Sequence, residues 1–319
     1  MTRLAAFNPA VRTLDESVAR AVAAERLGFE SVWVTQLPDA RDASLVLAAY
    51  AKATSRVKLG TGVLPIYTRH PTAMAQMAAT LDELSAGRFI LGIGISHKVT
   101  VEGMWGLRLE NPVQAMREYV DIVRTGLRDG ASSIEGEQFT ARWAYSAPRR
   151  AGLPILLSAL NPRMLELAGE VADGVVLWMC SPAYIREQVV PRVTAGRQIA
   201  GKPLEGFEIV AAVPACLTSD RPAALDVFRQ TVARYAGLPY YRKMMDASGF
   251  KDELEEGRIS EAMLDSLAGI GDEQKVREAI ARYREAGVTL PGIGPFGGHP
   301  AAAGFEATLE AAMGAPSGS

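Results

Sequence analysis

Short apolar segments alternate along the chain with longer amphipathic ones. The apolar segments are rich in β-branched residues and are almost continuously hydrophobic, which is typical of parallel strands buried on both faces. We predict eight strands: Arg3–Phe7, Ser31–Thr35, Val57–Val63, Arg88–Ile95, Pro154–Ala159, Gly174–Met179, Glu208–Leu217 and Val288–Gly294.

The amphipathic segments between these strands carry the signals of helix ends. In the first of them, Asp15 and Glu16 stand in the opening turn and Gly28 follows the last turn, as the helix dipole and the left-handed cap favour. Three later segments begin with a proline, which suits the first helical position. The predicted helices are Leu14–Leu27, Ala43–Ala53, Thr72–Leu84, Pro112–Leu127, Pro162–Val171, Pro182–Ile199 and Asp272–Ala286.

Eight strands separated by helices predict an α/β fold, a (β/α)8 TIM barrel, with an open doubly wound sheet as the alternative. Two stretches are too long for single crossovers and are predicted to be insertions. The first, after strand 4, contains a polar hairpin at Ser132–Tyr145, and the second, after strand 7, spans Arg221–Glu273 and should contain extra helices. We expect one domain over residues 1–313 and a disordered tail, Gly314–Ser319.

Composition and charge exclude several classes of function. Lys and Arg total 34 against 36 Asp and Glu, a net charge of −2 with no long basic run, so the chain lacks the electrostatic footprint of a nucleic-acid binder. No apolar run reaches the ~18 residues of a membrane span, and the amino terminus lacks a signal-peptide pattern. The expectation is a cytoplasmic protein without a disulfide, because Cys180 and Cys216 stand far apart.

The loops that follow the strands should carry the chemistry, as in other barrels. His70, His97 and His299 all fall in such loops, and histidine is suited to proton transfer near neutral pH. His97 directly follows an apolar strand, which favours a catalytic role. His70 precedes Pro71 at a helix start, where ordering of the loop is the simpler interpretation, and His299 is uninformative. No metal site is predicted, since the histidines lack ligand spacing.

Two further patterns suggest a ligand at the same end of the barrel. Gly60 and Gly62 end one strand and Gly92 and Gly94 the next, which leaves room for a flat ring system; tight barrel packing is the alternative. The segment Ser158–Arg163 carries a strand end into a helix start, where exposed amides form an anion site. A plain cap, with the asparagine as N-cap, explains the same residues.

Several of these segments together resemble the bacterial luciferase-like superfamily. They are Leu59–Pro71, Leu81–Gly94, Gly28–Val34 and Leu167–Gly174. The likeness extends over nearly all of the chain from its first helix to its last strand. Within the superfamily, Gly94–His97 with Val101–Gly106 looks most like the oxidoreductases that use the deazaflavin coenzyme F420.

The resemblance implies a flavin or deazaflavin at the carboxyl mouth of the barrel. Deazaflavin members have a non-proline cis peptide that backs the ring, here between Gly62 and Val63 by motif position. Their cofactor phosphate lies at the loop after strand 5, here Ser158–Asn161. The cofactor-binding residues are predicted to be Thr35, Gly62, Val63, Leu64, Gly94, Ser96, Ser158, Ala159, Leu160, Asn161 and Trp178.

Two departures from the family pattern narrow the activity. Deazaflavin-dependent sugar-phosphate dehydrogenases have Ser-Asp-His after strand 2, where this chain has Thr35, Gln36 and Leu37. They also have a glutamate acid where this chain has His97. These differences argue against a sugar-alcohol dehydrogenase.

The predicted function is hydride transfer between coenzyme F420 and a small, largely apolar substrate with a C=C, C=N or C=O bond. His97 would donate the proton, Gln36 or Thr35 would hydrogen-bond the ring edge, and the substrate pocket would be walled by Tyr67, Trp105, Trp178 and Met179. The alternative is a two-component monooxygenase that uses reduced FMN; a non-catalytic flavin-binding barrel comes third. The chain lacks an NAD(P)H fingerprint, so a separate reductase is expected to supply reduced cofactor. The resemblance also implies a homodimer.

Overall fold

The computed structural model describes residues 3–8 and 13–314. Its strands are β1 (Ala5–Phe7), β2 (Ser31–Val34), β3 (Lys58–Thr61), β4 (Leu64–Pro65), β5 (Phe89–Gly94), β6 (Ala131–Glu135), β7 (Thr140–Ala144), β8 (Ile155–Ser158), β9 (Gly174–Leu177), β10 (Glu208–Leu217), β11 (Gly269–Gly271) and β12 (Leu290–Pro295). Eight of them run parallel in the order β1, β2, β3, β5, β8, β9, β10 and β12, and β12 pairs with β1 again. The sheet therefore closes on itself, and the predicted TIM barrel is confirmed.

Helices surround the barrel. They are α1 (Leu14–Arg26), α2 (Ala43–Ala53), α3 (Pro71–Leu84), α4 (Pro112–Asp129), α5 (Pro162–Val171), α6 (Pro182–Tyr184), α7 (Val190–Ile199), α8 (Arg221–Ala236), α9 (Pro239–Met245), α10 (Lys251–Glu255), α11 (Glu261–Leu267), α12 (Glu273–Glu285) and α13 (Phe305–Met313). The bounds of α2 and α5 are those predicted. The single helix predicted over Pro182–Ile199 is instead interrupted by a π-turn at Ile185–Val189, because Pro191 has no N–H for the regular ladder.

Both predicted insertions are present. The hairpin β6–β7 follows α4 and is antiparallel. Its turn is held by Glu118, whose buried carboxylate accepts the backbone N–H groups of Glu137, Gln138 and Phe139 at 3.0, 2.8 and 2.9 Å. The second insertion contains α8 to α11 and also β11, an unpredicted strand that extends the sheet beside β10. The helix α13 was not predicted either.

One extra residue interrupts the pairing of β3 and β4 with β5. Gly60 pairs with Ile90 and Leu64 pairs with Ile93, so three residues on one side face two on the other, which is a β-bulge. The peptide bond between Gly62 and Val63, inside this bulge, is cis. The cis bond implied by the family resemblance is therefore confirmed.

The side chain of Thr61 replaces the interrupted ladder. Its hydroxyl donates to the carbonyl oxygen of Gly92 at 2.8 Å and accepts from the N–H of Gly92 at 2.7 Å. On the other side, the N–H of Gly62 still donates to Val34 O at 2.8 Å. The backbone groups of β2 and β5 that face the bulge thus keep their hydrogen bonds, as buried backbone groups require.

The glycines of these strands serve mainly close packing. A Cβ at Gly60 would lie 2.5 Å from the Trp33 ring, and one at Gly92 would lie 2.0 Å from the Thr61 carbonyl oxygen. The interpretation in which all four glycines make room for a ligand is therefore wrong for these two. Space inside the barrel is taken by Trp33 and by the bulged backbone itself.

The next observations concern membrane-spanning helices, metal-binding clusters and the carboxyl-terminal tail. No helix of the described residues combines the length and hydrophobicity needed to cross a bilayer. Within residues 3–8 and 13–314, no group of three or more His, Cys, Asp or Glu side chains is arranged to hold a metal ion. The predicted tail lies outside the described residues except for Gly314, which ends α13.

The hydroxyl of Thr61 should contribute substantially to the free energy of unfolding. Thr61→Val keeps the shape but leaves the N–H and carbonyl of Gly92 unpaired and buried. We expect the free energy of unfolding to fall by about 2–5 kcal/mol. Urea denaturation followed by circular dichroism measures it. Thr61→Ser, which keeps the hydroxyl, is the control, and equal losses in both variants would contradict the assignment.

Candidate active site

A cavity of about 630 Å³ opens at the carboxyl ends of the barrel strands. It is surrounded by the segments that follow β2, β3, β5, β8, β9 and β12, by Pro214 of β10 and by the helices α8 and α9. Twelve of the sixteen predicted site residues line it: Thr35, Gln36, Gly62, Val63, Gly94, Ser96, His97, Ser158, Ala159, Leu160, Asn161 and Trp178. Sequence reasoning and structure thus bring most of the candidates to one place.

The other four candidates do not line the cavity. Leu64 is in β4 and is 2% exposed, and Tyr67 lies in the 3₁₀ turn that follows, with its hydroxyl buried and unpartnered among the described residues. Trp105 ends the π-turn Val99–Met104. Met179 is fully buried in the core beyond the end of β9, where its backbone has a positive φ of 50°.

The floor of the cavity is built around the bulge. A Cβ at Gly94 would lie 2.8 Å from Val63 Cγ2 and 3.2 Å from the Cβ of Ser158. Three chain segments therefore meet here, and the Val63 side chain occupies the space that a side chain at Gly94 would need. Ser96, next along the loop, has a positive φ of 62°, a conformation that non-glycine residues adopt mainly where function or packing requires it.

Aromatic rings continue the floor into the barrel. Phe7 lies between Trp33 and Trp178, with ring centroids 6.1 and 6.4 Å away. Trp178 extends this row to Tyr235 in the cavity wall, with ring centroids 6.2 Å apart. The interaction of the Trp178 side chain with the Tyr235 hydroxyl opposes the rise that burial causes in the pKa of Tyr235, so the indole N–H lies beside that hydroxyl.

His97 stands at the rim of the floor. Its carbonyl oxygen accepts from the N–H groups of Thr100 and Val101 at 2.9 and 2.8 Å, which ties it to the following π-turn. Its half-buried ring packs against Tyr241, with centroids 5.7 Å apart. Burial lowers the pKa of His97 below its ordinary value of 6.5. The imidazole is therefore neutral at pH 7, and its protonated form is a stronger acid than that of free histidine.

The other polar candidates already have partners. Gln36 Oε1 accepts from the N–H of Ala43 at 2.9 Å, and Gln36 Nε2 donates to Leu37 O at 3.1 Å. This amide caps α2 and shapes the loop after β2. Asn161 Oδ1 accepts from the N–H of Met164 at 3.0 Å, so Asn161 is the N-cap of α5.

The start of α5 combines a cap with an open helix end. Ser158, Ala159, Leu160 and Asn161 line the cavity, whereas Arg163 does not. The positive charge of Arg163 is therefore not part of the cavity wall. The helix dipole and the amides of its first turn remain, and these alone suit a phosphate.

The remaining histidines have local partners. His70 caps α3, where its Nδ1 accepts from the N–H of Thr72 at 3.4 Å, so its loop-ordering role is confirmed. His299 Nε2 lies 3.7 Å from Cys216 Sγ. Neither histidine lines the cavity.

The residues that cover the cavity, which we call the roof, were not predicted from the sequence. The roof consists of residues from the end of α8 and the start of α9: Thr231, Arg234, Tyr235, Leu238, Tyr240 and Tyr241. Tyr235 and Tyr241 pack edge to face with centroids 4.8 Å apart. The insertion lies outside the regular strand–helix alternation, so its position could not be inferred; three tyrosines within seven residues were the available signal.

The geometry agrees with a family comparison. The model of the luciferase-like monooxygenase family matches residues 1–290. This chain belongs to that family.

Several proteins similar to this chain have names that refer to coenzyme F420 or to methanopterin reduction. A Mycobacterium tuberculosis protein, provisionally named a coenzyme F420-dependent oxidoreductase, is 34% identical over 305 residues, covering 84% of this chain and 87% of its own. The 5,10-methylenetetrahydromethanopterin reductase of Methanolobus tindarius is 32% identical over 283 residues, covering 83% and 86%. Among solved structures, the coenzyme F420-dependent tetrahydromethanopterin reductase of Methanopyrus kandleri superposes with a TM-score of 0.83 at 25% identity, covering 98% and 97%. These relatives support F420-dependent redox chemistry at the level of the family.

The environment of His97 leads to a titration experiment. We expect the His97 ring, followed by proton NMR, to titrate with a midpoint below 6.5, because desolvation disfavours its charged form. Tyr241→Ala should admit water and raise the midpoint toward 6.5, whereas Tyr241→Phe should leave it low. Loss of the signal in His97→Gln assigns the resonance. A midpoint at or above 6.5 in the unaltered protein would contradict this description.

Proposed function

We propose that this protein is a coenzyme F420-dependent oxidoreductase that reduces a C=C, C=N or C=O bond of a small organic substrate. The observation that supports it most is the bulge at Gly62 and Val63, which with Gly94 forms an apolar floor beneath the cavity. The family comparison supports the same cofactor. The cavity residues fit coenzyme F420, and different residues suit its ring and its phosphate.

The ring and the phosphate of the cofactor would use different parts of the cavity. Val63, Gly94 and Ser158 offer the ring an apolar surface, and the indole of Trp178 lines the same cavity. The start of α5 suits the phosphate. Thr35 and Ser96 line the cavity and can add hydroxyl contacts.

When bound and reduced, coenzyme F420 supplies a hydride. The substrate double bond gains that hydride at one atom and a proton at the other, so two electrons pass to the substrate and the cofactor becomes oxidised. We assign the proton to His97, the titratable imidazole that lines the cavity. Its low pKa makes the imidazolium a ready donor, and solvent at the rim returns the proton after each turnover.

The reducing equivalents would come from a separate reductase, and the working form would be a homodimer. The reductase is proposed because the sequence has no NAD(P)H fingerprint, and the homodimer is proposed from the family resemblance. The family also contains monooxygenases, so an FMN-dependent oxygenation is the second candidate.

Cofactor titration tests the proposal directly. Oxidised F420 and FMN are added separately to the protein, and quenching of tryptophan fluorescence is followed, since Trp178 faces the cavity. We expect F420 to bind at least tenfold more tightly than FMN. Trp178→Phe should lose most of the quenching while retaining binding measured by ultrafiltration. Preference for FMN would support the monooxygenase instead.

Removal of the His97 ring should lower kcat and leave the affinity for F420 nearly unchanged. On any substrate found by screening unsaturated ketones, imines and acids, we expect His97→Ala to lower kcat by roughly 10²-fold or more, with the Kd for F420 within about twofold. The rate of the unaltered enzyme should fall as pH rises from the His97 pKa, because the donor loses its proton. His97→Ala should lack this dependence; a similar pH profile in both proteins would remove His97 from the mechanism.

A further inference from the structure

The roof carries a positive charge that the proposed reaction does not use. Arg234 lines the cavity from the last turn of α8, and its Nη2 donates to Thr231 Oγ1 at 3.3 Å. Thr231 lines the cavity as well. Burial raises the pKa of Tyr235, and a hydrogen bond with Trp178 and then the positive charge of Arg234 oppose that rise, so the guanidinium lies near the phenol that lines the same wall.

The charge has no carboxylate partner in the part of the chain that the structure describes. The other arginines of α8 do have partners: Arg221 pairs with Asp265, and Arg229 pairs with Asp226. The carboxylate that lines the cavity, Asp39, follows β2, and two barrel strands, β12 and β1, separate β2 from β10. A guanidinium is a strong, bidentate partner for a carboxylate, and this exposed one at the cavity can accept a carboxylate from a ligand.

The wall between this charge and His97 is continuous. Tyr235, next to Arg234 in the chain, packs on Tyr241 at 4.8 Å, and Tyr241 packs on His97 at 5.7 Å. The start of α5, which suits the cofactor phosphate, follows β8 on another wall, with β9 between β8 and β10. The cavity therefore has two separate places for negative charge.

We propose that the substrate is an organic acid whose carboxylate binds Arg234 and Thr231 while its reducible bond lies along the tyrosines toward His97. The inference rests on the proposed function and narrows its substrate class: an apolar body, as Tyr235 and Tyr241 suit, with one acidic end. An amide of the same shape lacks the charge that the guanidinium recognises.

Isothermal titration calorimetry with matched acids and amides tests the inference. The probes are trans-cinnamate against cinnamamide and crotonate against crotonamide, added to protein saturated with oxidised F420 and also to the free protein. We expect at least one acid to bind about tenfold more tightly than its amide, with the preference falling at high salt. Arg234→Gln should abolish the preference. Arg229→Gln, on the same helix but outside the cavity, should preserve it.

Three results would overturn the inference. One is the absence of a preference for the acid in both pairs. Another is a preference that survives Arg234→Gln while the melting temperature falls, which would make Arg234 a helix-end charge only. The third is a large loss of F420 affinity in Arg234→Gln, which would assign the guanidinium to the cofactor. If the unaltered protein does not bind F420, the proposed function fails, and the free-protein titrations still decide whether Arg234 binds acids.

Discussion

The two hydrogen bonds between Thr61 and Gly92 are the constraint on which the site depends. When a barrel strand separates from its neighbour, buried backbone N–H and C=O groups lose their hydrogen-bond partners. The hydroxyl of Thr61 satisfies the N–H and the carbonyl of Gly92 at 2.7 and 2.8 Å, so the chain can insert one extra residue and present Gly62 and Val63 to the cavity. The close approach also explains Gly92, where any side chain would meet the carbonyl of Thr61.

The remaining parts of the cavity are added to this floor by different elements. The loop after β5 brings His97, and the insertion after β10 brings the tyrosine roof that partly desolvates it. In the proposed function, the regular barrel would therefore supply the cofactor platform, while the insertion would shape the substrate side. This division agrees with a family whose members share a fold and differ in substrate, because function lies in sites carried by a common scaffold.

Much of the fold was predictable because local patterns and tertiary structure agree. Continuous apolar strands, capped helices and first-turn prolines place the barrel elements to within a few residues, and the motif around Gly62 identifies the cis bond. Prediction failed where tertiary contacts decide. The direction of Met179 depends on the path of the chain beyond β9, and the role of Gly60 depends on Trp33, its partner on the neighbouring strand β2. Arg234 lies in an insertion with no repeat pattern to place it.

The central claim is that the bulge is the platform for the cofactor ring. A crystal structure of the complex with oxidised coenzyme F420 tests it most directly. The account predicts that the ring contacts Gly62, Val63 and Gly94, with the phosphate at the first turn of α5. A ring bound away from the bulge, with Val63 facing an empty floor, would contradict the account even if the affinity were high.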